Sequence, residues 1–83
     1  MYSIEFSDLS KKQFLKLPKD VQRRIKYSLQ RIRIRPFSFV KRLVGYNSCS
    51  LRVGDYRIIL DINKKEVTIL VIEIGHRKKI YKK

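Results

Sequence analysis

Ser48-Cys-Ser-Leu-Arg-Val-Gly-Asp-Tyr-Arg-Ile-Ile-Leu-Asp-Ile62 is the stretch on which the fold turns. Residues 48–53 and 56–62 are rich in β-branched and aliphatic side chains and read as strands. Between them Gly54-Asp55 has the composition of a two-residue hairpin loop. A loop of that length sets Val53 against Tyr56 and Arg52 directly opposite Arg57. Side chains so opposed have Cβ atoms about 4.5–5.5 Å apart, and like charges there are destabilising. An anion seated between the guanidiniums would relieve the repulsion, because the planar fork of arginine donates two parallel hydrogen bonds to phosphate. The plainer alternative is two solvated arginines splayed apart.

Working outward, residues 67–74 form a further aliphatic run, and Asn63-Lys64-Lys65-Glu66 closes a second hairpin. With an even loop, strand parity places Arg57 beside Leu70, Ile72, Ile74 and His76. An odd loop with a bulge, or a kink at Gly75, moves Arg77 to that side instead. His76 and Arg77 therefore compete for one position. Upstream, residues 41–44 make a short strand that Gly45 breaks, and residues 2–6 alternate with period two as another. Ser7 or Asp8 suits the N-cap of a first helix running to about Leu17. Pro18 suits the first turn of a second helix, in which Val21, Ile25, Ser28, Leu29 and Ile32 share one face. Pro36 ends that element nearby. The expected fold is α+β, in the order β-α-α-β-β-β. It is an antiparallel sheet with an N-terminal helical hairpin packed on one face, in one domain over residues 1–83.

Charge dominates the composition. Lys and Arg number 21 against 7 acids, a net charge of +14. No acid lies between Asp20 and Asp55, yet Arg23, Arg24, Lys26, Arg31, Arg33, Arg35, Lys41, Arg42 and Arg52 all do. A second cluster, Arg77, Lys78, Lys79, Lys82 and Lys83, follows the last strand. Self-repulsion on this scale opposes compaction unless a partner brings negative charge, and phosphate backbones do so. RNA is the reading taken, ahead of an acidic protein partner alone and of an anionic membrane. Arg23, Arg24, Arg31, Lys41, Arg42, Lys78 and Lys79 are the candidate RNA contacts.

With 43% hydrophobic residues the chain should fold rather than stay disordered. One cysteine and one histidine leave no internal disulfide and no expected metal site or cofactor. Cys49 should face inward as a small core residue. The start, Met-Tyr-Ser-Ile-Glu, is unlike a signal peptide, and no apolar run is long enough to span a bilayer, so a cytoplasmic location is expected.

Ser50-Leu-Arg-Val-Gly-Asp-Tyr-Arg-Ile-Ile-Leu60, followed by Val71-Ile-Glu-Ile-Gly-His-Arg-Lys-Lys-Ile-Tyr81, resembles the pattern of RelE/ParE toxins. Phe14-Leu-Lys-Leu-Pro18 and Lys41-Arg-Leu-Val-Gly45 are similar to that superfamily's helical hairpin and first strand after it. The resemblance implies the toxin of a toxin–antitoxin pair. Its RelE branch cleaves messenger RNA in the ribosomal A site, by attack of the 2′-hydroxyl to leave a 2′,3′-cyclic phosphate. Its ParE branch poisons DNA gyrase. Arg77 and Tyr81 favour the RelE branch, a metal-independent endoribonuclease, with ribosome, mRNA and a cognate acidic, RelB-like antitoxin as partners. The alternatives are a ParE-like gyrase inhibitor without nuclease activity and a catalytically weak module that only binds its antitoxin.

On that resemblance the catalytic set is Arg52, Arg57, Arg77 and Tyr81. Arg57 would hold the scissile phosphate and stabilise its developing charge, with Arg52 adding to the clamp. Tyr81 would stack on a base or act as general base, for which nearby cations must lower a phenol's usual pKa of about 10. Arg77 would stabilise the leaving 5′-oxygen, or protonate it if its environment permits. His76 stands beside the site as a supporting residue or an acid–base candidate. Two positions depart from the RelE pattern: Ser50 and Val44 stand where basic residues are usual, and Lys41 or Arg42 could substitute.

Overall fold

A computed structural model describes residues 1–42 and 48–76. The chain runs β1 (Ser3–Phe6), α1 (Asp8–Leu15), α2 (Lys19–Ile32), β2 (Lys41–Arg42), β3 (Cys49–Val53), β4 (Tyr56–Asn63) and β5 (Thr68–His76). The strands form one five-stranded sheet in the order β1-β5-β4-β3-β2. The α+β class and the helical hairpin are as expected, but the order holds one strand more than β-α-α-β-β-β, since Lys41–Arg42 and Cys49–Val53 are separate strands ahead of β4 and β5. The sheet is mixed rather than wholly antiparallel, because β1 lies parallel to β5, with Phe6 opposite Val71. The two-helix excursion between β1 and β2 makes this pairing possible, since a strand joined through helices need not reverse beside its neighbour.

Local chemistry fixes each boundary. Ser7 caps α1, its hydroxyl oxygen accepting from Ser10 N–H at 3.1 Å. The Gln22 side chain donates to the Phe14 and Leu17 carbonyls at 3.1 and 3.0 Å, so α2 satisfies the end of α1. Pro18 sits one residue earlier than expected, as the cap of α2 rather than within its first turn. Gly54 adopts φ 60°, while Asp55 stays at negative φ, the pattern of a type II′ hairpin turn. Val67 belongs to the β4–β5 loop rather than to β5, with φ 54°, an unusual and costly value for a β-branched residue.

Among the described residues, the helices cover one face only. Phe14, Ile25, Leu29 and Ile32 meet Cys49, Leu51, Val53, Ile58, Leu60, Ile69, Val71 and Ile74 in a single core. Along β5 the buried positions are 69, 71 and 74, so the spacing changes from two to three. A bulge accounts for this. Ile59 pairs with Glu73 and Leu60 with Val71, leaving Ile72 as the extra residue.

That bulge is held from α1. Beyond Phe6 the outer edge of β5 has no strand partner in the β1 register. Hydroxyls take over: Ser7 donates to the Ile72 carbonyl at 2.7 Å, and buried Ser10 donates to Val71 at 2.8 Å. The Ser7 N–H also reaches the Val71 carbonyl, and Gln13 Oε1 accepts from Ile74 N–H at 2.7 Å. Polar groups on the first two turns of α1 thus complete a distorted strand that backbone pairing alone leaves unsatisfied.

Candidate active site

The helix-free face of the sheet carries the arginine pair. Arg52 lies opposite Arg57 and Val53 opposite Tyr56, the register the two-residue turn requires. Arg57 then faces Gly75, whereas His76 pairs with Tyr56 in the adjacent row. The bulge settles the parity left open by the sequence: His76 does not share Arg57's row. Instead its ring meets Tyr56 edge-on, with centroids 5.7 Å apart. Arg77, Lys78, Lys79 and Tyr81 lie outside the described residues, as does Val44.

Arg57 is half-buried, with its Nε sealed from solvent. A guanidinium in such a place acts through a lower local dielectric than one on an open surface, so its field on a bound anion is stronger. Arg52 behaves differently. It is exposed, and its Nε donates to the Gly54 carbonyl at 3.2 Å. Among the described residues β2 pairs with Cys49 and Ser50 alone and the β3 edge beyond them has no strand partner, and Arg52 borders a cleft against α2.

Along the next row of the same face Lys41 lies directly opposite Ser50, and Ser50 opposite Ile59. Ser50 is buried, with its hydroxyl 3.4 Å from the Lys41 carbonyl. The cation absent at position 50 is therefore available one strand over. Arg42 shares the helix-side row of Cys49 instead. On α2, Arg23 and Arg24 are exposed near the Gly54 turn, while Arg31 stacks on Phe39 at 4.3 Å. Burial pushes the Cys49 thiol up, Arg42 opposes that shift, and Asp61 adds to it, so the thiol is not an activated nucleophile. Among the described residues no three His, Cys, Asp or Glu side chains gather as a metal site.

A family model for the ParE toxin of the type II toxin–antitoxin system parDE matches residues 4–81. The chain belongs to this toxin family. A search of curated proteins finds no match. Among solved structures, the archaeal RelE–RelB complex from Pyrococcus horikoshii is similar at 26% identity and TM-score 0.79, over 92% of this chain and 94% of that one. The RelB–RelE complex from Methanococcus jannaschii is similar at 28% identity and TM-score 0.75, over 93% and 94%. The intact E. coli RelBE complex shares the fold at TM-score 0.82 and 24% identity, over 92% and 96%. This toxin thus sits within the wider RelE/ParE superfamily by both sequence and fold.

Two features of the toxin's site were invisible in its sequence pattern. Ser10 and Gln13 signal only a helix start, yet they hold the bulge that sets the Arg57 row. Arg52 lies beyond the part of β3 that β2 pairs with, because β2 begins only at Lys41, and no local signal marks that start.

Proposed function

We propose that this toxin is a ribosome-dependent mRNA endonuclease, held in check by an acidic antitoxin. One observation carries the reading: Arg52 and Arg57 directly opposed on the sheet face away from α1 and α2, with Arg57 half-buried. In the proposed reaction a ribose 2′-oxygen attacks the adjacent phosphorus and the P–O5′ bond breaks. The products are a 2′,3′-cyclic phosphate and a free 5′-hydroxyl. The nucleophile's proton passes to a general base, for which Tyr81 is the candidate, and the leaving 5′-oxygen takes a proton from solvent water, with Arg77 the candidate to stabilise its charge. Arg57 stabilises the negative charge that builds on the phosphate oxygens. Lys41, across from Ser50, adds a cation on the same face.

The test is to add purified toxin to translating ribosomes and map the mRNA ends. Cuts at fixed codon positions are expected, falling about 10²- to 10³-fold in rate in Arg57→Ala, the usual cost of one transition-state donor. The ParE designation of the matching family favours a second reading, a gyrase inhibitor without nuclease activity. Gyrase arrest with intact mRNA would replace the first reading by the second.

A further inference from the structure

Outside the Arg57 row, the strongest unassigned feature is a cleft of about 430 Å³ between α2 and the β3–β4 turn. Arg23, Arg24, Tyr27 and Ser28 line it from the helix, Arg52 and Gly54 from the hairpin, and no carboxylate is among its lining residues. Its cations converge on one glycine. A Cβ on Gly54 would lie 3.0 and 3.3 Å from the Arg24 guanidinium nitrogens, so the missing side chain is what lets that group rest on the turn. From the other side Arg52 Nε is bonded to the Gly54 carbonyl. Two guanidiniums drawn to one turn repel each other unless an anion joins them, and the turn's own acid, Asp55, is not among the residues that line the cleft. On the rim Tyr27 stands 67% exposed, a flat ring with no core to fill.

We infer that this cleft is a nucleotide subsite for single-stranded RNA, holding a phosphate between Arg24 and Arg52 and a base on Tyr27. The inference rests on reading the Arg57 face as an RNA site. Arg52 belongs both to the cleft and to the Arg57 row, so a strand engaging Arg57 is led past Arg52, round the β3 edge, to α2. A cationic groove beside an aromatic ring is the usual recipe for single-strand binding. An acidic peptide would use the cations and leave Tyr27 without a task.

The experiment uses the full chain and a labelled, fully 2′-O-methylated hexaribonucleotide, which lacks the attacking hydroxyl, followed by fluorescence anisotropy. Tyr27→Ala is expected to weaken binding by about 5- to 100-fold, the range for one base–aromatic stack. Arg24→Ala should weaken it and lower the slope of log K against log salt by about 0.7, one phosphate contact on a single strand. Arg24→Lys should restore that slope while recovering only part of the affinity. Lys64→Ala, in the far β4–β5 loop, is the control and should change little. Wild-type affinity in both Arg24→Ala and Tyr27→Ala would overturn the subsite. So would unchanged RNA binding with lost binding of a polyglutamate peptide. The ribosome assay separates the two readings. If wild-type toxin cuts no mRNA yet binds RNA through the cleft, only the proposed function fails. If it cuts and the cleft variants bind normally, only the subsite fails.

Discussion

Lys41 and Ser50 face each other across β2 and β3, so a cationic residue stands one strand over from position 50. Under the nuclease reading, Lys41→Ala should slow cleavage by about tenfold or more, the scale of one lost charge-assisted hydrogen bond to phosphate. Ser50→Lys in that background should recover much of the rate, read by mRNA-end mapping, because the two Cα positions are direct partners. No recovery, with the fold intact by circular dichroism, would remove Lys41 from the site. Cys49 supplies a second test. Its thiol is raised chiefly by burial, with Arg42 pulling down and Asp61 pushing up. The neutral thiol is thus favoured by the fold. The stability it contributes is fully present below the thiol's unfolded value of about 8.5, and is lost as pH rises through the higher folded value. Urea midpoints should therefore fall more steeply above that pH in the wild type than in Cys49→Ala.

Elements were legible to unequal degrees. The Gly54-Asp55 turn announced itself, and with it the Arg52–Arg57 pairing, because a two-residue loop leaves no freedom of register. The parity of β5 did not. Ile69-Leu-Val-Ile72 is apolar throughout, so alternation could not show which residues face the helices, and an even loop alone implied the wrong row for His76. What resolves it is tertiary: helix hydroxyls satisfying carbonyls that a regular ladder would have used. Ser10→Ala should accordingly cost about 0.5–1.5 kcal/mol, the net worth of one hydrogen bond, since the Val71 carbonyl loses the Ser10 hydroxyl and keeps the Ser7 N–H. Thermal melting would show this as a drop of several degrees for a domain of this size. Leu9→Ala, at an exposed position on the same helix, should melt close to the wild type.

At the scale of the molecule, +14 charges are spread over a body 32 × 28 × 23 Å across. In 0.01 M salt the screening length is about 30 Å, so each cation repels nearly every other, whereas at 0.1 M it is about 10 Å and only neighbours count. Salt should therefore act with opposite signs on folding and on RNA binding. Between these concentrations the melting temperature of the free toxin should rise, while affinity for a single-stranded RNA falls along a log–log line. Calorimetry and anisotropy on one preparation would measure both. A melting temperature that fell with salt would mean the charges are already paired in the free protein. The described residues include no helix long and apolar enough to cross a membrane.

The start of β2 only at Lys41 has a consequence for how copies of the chain meet. A sheet edge with unpaired amides is an adhesive surface, and proteins blunt it by keeping it short or by charging it. Here β2 covers two residues of β3, and the remainder of that edge carries Arg52. The outer strand on the other side, β1, is four residues long. Whatever Arg52 does for an anion, it also makes this border a poor template for a second strand, and so guards against edge-to-edge polymerisation.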